Sequence, residues 1–146
     1  METLREVSEN LWVSDAKSAS VLAESADLVV DCRTSRRGDT PENVVKMAPS
    51  GKTNHSWLAS DLDAIVQAVV PRLKDGQTVL IHCRRGRSRS VTAAAAVLVA
   101  AGRAKGYEDG VKMAKHPDFC PKSTCLGGLR DWLQSRGQLR GREPVA

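Results

Sequence analysis

The chain has 146 residues, 41% hydrophobic and 27% charged, with a formal net charge of +5. That is enough for a single core without disulfide or metal staples, and the moderate basic excess suits an anionic ligand. The longest apolar stretch, Val91 to Ala101, falls far short of the ~20 residues that span a bilayer, METLREVSEN holds no apolar signal region, and aromatics at 3% are too few for a single-strand nucleic-acid platform.

In chain order, Asn10 to Ser14 reads as a first strand, and Ser14 or Asp15 caps a helix running to about Ser25. Asp27 to Cys32 is a β-rich apolar run, hence a buried strand. Arg33 to Glu42 is a charged loop, Asn43 to Met47 a further strand, and Ala48 to Trp57 a polar loop. Leu62, Ile65, Val66, Val69, Val70 and Leu73 recur at helical spacing, with Ser60 and Asp63 placed as a capping box and Asp75-Gly76 as the stop. Thr78 to Ile81 is a buried strand, and Ser90 to Ala101 is a helix of small residues ended by Gly102. Helices follow over Tyr107 to Lys115 and Thr124 to Arg136, on either side of a loop at Pro117 to Pro121. Strands alternating with helices predict an α/β domain: a mainly parallel central sheet flanked by helices in three layers. One catalytic domain is expected over residues 1–136, followed by a C-terminal tail over 137–146 that lacks periodicity.

In such sheets ligands bind where a strand feeds a helix N-terminus. The junction after Ile81 reads His82-Cys83-Arg84-Arg85-Gly86-Arg87-Ser88-Arg89-Ser90. A loop of this length turns its backbone N–H groups inward as a nest for a tetrahedral oxyanion, a phosphate or a sulfate, helped by the helix dipole. Gly86 relieves the backbone at the sharp turn, and Arg89 can fork two phosphate oxygens. Cys83 sits at the base of the nest. The same amides and dipole would lower its thiol from ~8.5 toward ~3.5–7.5, which makes a nucleophile at neutral pH.

HCRRGRSRS matches the HCxxGxxR[ST] signature of the cysteine-dependent phosphatases, and the chain most resembles the dual-specificity branch of the protein tyrosine phosphatase superfamily. Asn10 to Asp15 is similar to that family's first strand and turn, Leu80 to Cys83 to its lead-in, and His116 to Pro121 to its closing loop. The resemblance implies that Cys83 attacks phosphorus and forms a cysteinyl-phosphate. Arg89 and the amides of Arg84, Arg85, Gly86, Arg87, Ser88 and Arg89 would hold the phosphoryl oxygens. Ser90 would help the sulfur leave, and His82 would support the loop from behind. No metal or other cofactor is implied. The substrates implied are phosphotyrosine and phosphoserine or phosphothreonine in proteins. Four cysteines without paired spacing lead us to expect a reducing cytoplasm, with a monomer as the default.

The chain departs from the family pattern at the general acid. The family carries an Asp roughly 30 residues before the nucleophile, and here Pro49 to His55 holds no carboxylate. Asp61 is the first candidate, then Asp63, Asp39 or an imidazolium from His55, or no dedicated acid at all. Arg84, Arg85 and Arg87 occupy variable positions, and similar basic residues occur in members acting on phosphoinositides. A polyanionic non-protein substrate, a phosphoinositide or an RNA 5′-phosphate, is therefore the alternative, and a non-catalytic phosphate-binding module a further one. Arg33, Arg36 and Arg37 form a second basic cluster that could share the rim. By resemblance, Cys32 at a strand end is a possible redox partner for Cys83. Cys120 and Cys125 are expected to pack or to be partly exposed, and Trp57 either lines the cleft or packs under its loop.

Overall fold

The middle of the chain's sheet is its most apolar strand, and the rest is arranged around it. The computed structural model describes residues 3–34 and 40–141. Its five strands are β1 (Arg5–Ser8), β2 (Leu11–Asp15), β3 (Leu28–Asp31), β4 (Val44–Lys46) and β5 (Val79–Cys83), in the order β1-β2-β5-β3-β4. β5 is buried at all five positions and pairs in parallel with β2 on one side and β3 on the other. A continuous apolar run suits a strand covered on both faces. β1 alone is antiparallel, paired to β2 at the edge, so the sheet is mixed.

The helices are α1 (Ala16–Ala19), α2 (Ala59–Lys74), α3 (Arg89–Ala100), α4 (Tyr107–Ala114) and α5 (Ser123–Ser135). One face of the sheet carries the main core, built from Leu62, Ile65 and Val69 of α2, Val91 to Val99 of α3, and Leu129 and Leu133 of α5. The other face is a smaller cluster of Ala19, Ala26, Val29 and Leu80, edged by Trp12 and Leu22. The run Ala93 to Ala96 is fully buried, and its small side chains bring α3 close to β5, α2, α4 and α5. This is the three-layer α/β architecture that the alternating pattern predicts.

Four local expectations change. β1 is an element that the charged stretch Arg5–Ser8 does not announce, because its pairing with β2 and not its own pattern holds it in the sheet. The helix expected from Asp15 to Ser25 stops after four residues and becomes a chain of tight turns, such as Leu22 N–H to Ala19 C=O at 3.1 Å. Val21 is 73% exposed, and the apolar contacts of this segment are limited to Ala19, Leu22, Ala23 and Ala26, too few to hold a regular helix. The capping box of α2 is shifted: the Asp61 carboxylate accepts from the Leu58 N–H at 2.9 Å, replacing the Ser60–Asp63 pairing. Of the tail segment, residues 137–141 return to the body, where the Tyr107 N–H donates to the Leu139 carbonyl at 2.9 Å and Leu139 packs on the core. Among the described residues no helix is long and apolar enough to cross a membrane.

The approach of α5 to the segment before α2 depends on one glycine. A Cβ on Gly128 would lie 2.6 Å from the Trp57 carbonyl oxygen, whereas one on Gly127 would meet nothing within 4 Å. Gly128→Ala should therefore lower stability by ~1–3 kcal/mol through overpacking, and Gly127→Ala should raise it by up to ~1 kcal/mol through helix propensity. Urea denaturation of the two variants checks the contrast.

Candidate active site

β5 ends at Cys83 and α3 begins at Arg89, so residues 84–88 must turn within a few ångströms of β2. Gly86 makes this possible. Its φ is +67°, and a Cβ there would lie 2.7 Å from both the Asp15 nitrogen and the Ser14 carbonyl carbon. The Ala16 N–H donates to the Arg84 carbonyl at 3.2 Å. From β1, Arg5 donates to the Ala114 carbonyl at 2.7 Å and reaches the Gly86 carbonyl at 3.5 Å. Loop carbonyls are thus engaged from behind, while the Gly86 N–H donates to Cys83 Sγ at 3.3 Å. Ser90 Oγ lies 3.2 Å from the same sulfur, and Cys83 is only 3% exposed. Ser88 fixes the other end: its hydroxyl accepts from the Lys122 N–H at 2.9 Å and its carbonyl from Thr92.

Above the sulfur lies a cleft of ≈ 380 Å³, walled by Arg84, Arg85, Arg87, Ser88 and Arg89. Arg84, Arg85 and Arg87 are exposed, whereas Arg89 is 8% exposed at the first turn of α3. Arg87 is held over the Phe119 ring, with its guanidinium carbon 3.7 Å from the centroid. The cleft also takes in Asn54, His55, Cys120 and Lys122. The resemblance of His116 to Pro121 to a closing loop marked that segment, and Cys120 within it is exposed and lines the cleft, whereas Cys125 is buried.

His82 and Cys83 are successive strand residues and point to opposite sides of the sheet. His82 is 6% exposed, with Nδ1 3.9 Å from Asp31 Oδ1. Burial pushes its imidazolium down, against the opposing pull of Asp31. Asp31 is itself 2% exposed and ion-paired to Arg33 and Lys46, both at 2.9 Å. Burial alone would raise its carboxyl, but the hydrogen bonds from Arg33 and Lys46 together hold it well below the usual carboxylate range. Arg33 is therefore turned back onto the sheet and does not join the cleft rim. Arg36, Arg37 and Asp39 lie outside the described residues.

The Cys32 N–H donates to the His82 carbonyl at 2.8 Å, which carries the β3–β5 register one step past Asp31 and sets Cys32 beside Cys83. Both are buried free thiols. Burial, and then the charge of Cys83, push the Cys32 thiol up.

The carboxylates expected to face the cleft are used elsewhere. Asp61 accepts from the Leu58 N–H at 2.9 Å, the Ser50 N–H at 2.9 Å and the Ser50 hydroxyl at 2.7 Å, so it caps α2 and anchors the preceding loop. Asp63 accepts from the Trp132 indole N–H at 2.8 Å. Trp57 is 4% exposed and packs against Gly128, not into the cleft. Among the described residues, no carboxylate lines the cleft.

Residues 43–124 match the family described as the Rit1 DUSP-like domain. The tyrosine-protein phosphatase yvh1 of Schizosaccharomyces pombe is 31% identical over 110 residues, covering 68% of this chain and 32% of yvh1, so the chain spans about a third of that relative's length. Human DUSP28 superposes with a TM-score of 0.77 at 19% identity, covering 92% of this chain and 95% of that one. PTPMT1 in complex with PI(5)P superposes with a TM-score of 0.71 at 18% identity, covering 92% and 99%. At such identities the superpositions speak for the fold.

The Asp31 cluster generates a pH prediction. A carboxyl depressed in the folded state contributes stability that is present above its unfolded value, ~3.9, and is lost as pH falls through the folded value. Asp31→Asn should lower stability at neutral pH and flatten its decline below about pH 5. Thermal melts from pH 3 to 8 measure both effects.

Proposed function

We propose, because the chain belongs to the Rit1 DUSP-like domain family and through it to the dual-specificity branch of the cysteine-dependent protein tyrosine phosphatases, that it hydrolyses phosphomonoesters with Cys83 as nucleophile. The observation that carries this reading is the setting of one sulfur. Cys83 Sγ lies between the Gly86 N–H and the Ser90 hydroxyl, beneath a cleft walled by four arginines.

In the first step the sulfur attacks phosphorus: an S–P bond forms, the P–O bond to the leaving group breaks, and the leaving oxygen takes up a proton. In the second step water attacks phosphorus, the S–P bond breaks, and inorganic phosphate leaves with a proton released. Arg89 and the amides of Arg84 to Arg89 bind the equatorial oxygens, whose charge is greatest in the transition state. Ser90 donates to the departing thiolate. Gly86 shapes the loop, Ser88 ties it to Lys122, and His82 supports the strand end beneath it.

The substrate we assign is a phosphorylated protein, at tyrosine and at serine or threonine, because the cleft is open and no described segment covers it. The specific observation favouring a polyanionic substrate is the exposure of Arg84, Arg85 and Arg87 on one rim, and PTPMT1, a fold relative, was solved with PI(5)P. A panel of aryl phosphate, phosphopeptides, phosphoinositides and triphosphate-ended RNA, assayed with chelator, separates these readings. We take residues 1–136 as one catalytic unit acting as a monomer, and free thiols at the site suit a reducing compartment such as the cytoplasm.

Cys83→Ser should abolish turnover of every substrate in the panel, and Arg89→Lys should lower kcat by ~10²–10³-fold, since an ammonium does not copy the bidentate fork. Turnover that survives Cys83→Ser would remove the nucleophile, and phosphate binding without any turnover by the unaltered chain would favour a binding module.

Cys32 gives the site a protective route. Peroxide takes the Cys83 thiolate to a sulfenic acid as its O–O bond breaks. Attack by the Cys32 sulfur then forms the disulfide and releases water. Mild peroxide should yield a Cys32–Cys83 disulfide by non-reducing mass analysis, and dithiothreitol should restore activity. Cys83 sulfinic acid alongside a free Cys32 thiol would defeat the idea.

A further inference from the structure

An alcohol leaves phosphorus as a poor alkoxide unless a proton reaches it, so the cleft needs an acid. Lysine and arginine hold their protons at neutral pH, a thiol is a weaker acid than an imidazolium, and Asn54 and Ser88 have no labile proton of the right acidity. Asp61 and Asp63 are committed to Ser50, Leu58 and Trp132. Among the described residues His55 remains, and it shares the cleft wall with Cys83 and Arg89.

We propose that His55 is the general acid that protonates the leaving oxygen, given that Cys83 is the nucleophile. Its ring is tethered at one nitrogen. In the imidazolium both ring nitrogens carry a hydrogen; Nδ1, 2.6 Å from Asn54 Oδ1, donates to that oxygen, which leaves the Nε2 hydrogen for a substrate. The backbone is braced as well. The His55 N–H donates to Thr53 Oγ1 at 3.2 Å, Thr53 Oγ1 meets Ser56 Oγ at 2.8 Å, and the Gly51 N–H donates to the Ser56 carbonyl at 2.9 Å. Gly51 is packed so closely that a Cβ would lie 2.6 Å from that carbonyl oxygen. Asp61 holds the start of this loop through Ser50, which makes it a positioning residue for His55.

In the transfer, the Nε2–H bond breaks as the leaving oxygen gains its O–H bond, and the electron pair stays on Nε2. The neutral ring then takes the proton of the water that attacks the cysteinyl-phosphate. Lys122, from the segment before α5, and Arg89, from α3, bear on the ring, and Arg84, Arg85, Arg87, Cys83 and Cys120 share its cleft. Partial burial, then Lys122 and Arg89, push the imidazolium below its ordinary value. A bound phosphate dianion carries the opposite charge to Lys122 and Arg89 and acts against that push.

The test measures cysteinyl-phosphate formation, by rapid quench, on aryl phosphates of graded leaving-group acidity across pH 4 to 9. The unaltered chain should show a shallow dependence on the leaving group and a basic limb. In His55→Gln the dependence should steepen, costing the poorest leaving group ~10²-fold more than the best, and the basic limb should vanish. His55→Asp should restore a limb at lower pH, an effect that a merely structural residue would not produce. Equal dependence in the unaltered chain and His55→Gln overturns the proposal, as does a limb lost in Asp39→Asn or Cys120→Ser but kept in His55→Gln. A failure of the nucleophile itself is distinct: no cysteinyl-phosphate is trapped from the unaltered chain on any ester, and both readings fall together.

Discussion

The geometry of the loop from Cys83 to Arg89 depends on a backbone contact. Gly86 brings its chain against Ser14 and Asp15 at the end of β2 with no room for a Cβ, and its left-handed φ reverses the loop between Cys83 and Arg89. Because β2 and β5 are parallel neighbours in register from Leu11 and Val79 to Asp15 and Cys83, both strands deliver their C-terminal ends to the same place. The loop is thus supported by the sheet, and the buried α3 presents its N-terminus to it. The Gly86 amide and the Ser90 hydroxyl converge on Sγ as a result of this closure, which is pre-organisation in a rigid frame.

Charge is sorted with the same economy. Asp31 at the end of β3 retains Arg33 and Lys46 beside the sheet. Arg87 is stacked on Phe119, so one rim cation is already ordered before an anion arrives. Ordering in advance reduces the entropy lost on binding, which matters more for a long flexible side chain than the attraction alone. The carboxylates nearest in sequence to the cleft serve as a helix cap and an indole acceptor, leaving the cleft wall cationic.

The sequence was legible where periodicity or spacing had one physical solution. The apolar run at Val79 to Ile81, the stripe from Leu62 to Leu73 and the Cys83-to-Ser90 spacing each specify an element or a site. What it did not show depended on partners distant in the chain. β1 exists through β2, and the turns after Ala19 follow from an apolar face too short for a regular helix. Asp61 looked like an acid by its distance from Cys83, but three donors from Ser50 and Leu58 occupy it. His55 was visible as a residue type in the right stretch; its entry into the cleft is a property of the braced loop from Ser50 to Ser56 that no local pattern encodes.

Arg5 adds a less obvious link. It stands on the edge strand, yet its guanidinium crosses beneath the sheet end to the carbonyls of Gly86 and Ala114, and burial pushes its pKa down while the Cys83 charge raises it. One side chain therefore ties the first strand, the loop after β5 and the end of α4 together. Loosening the amino-terminal strand would register first as a looser loop around Cys83 and only later as a loss of the core, so the order of that loop is a more sensitive gauge of the strand's integrity than the melting temperature.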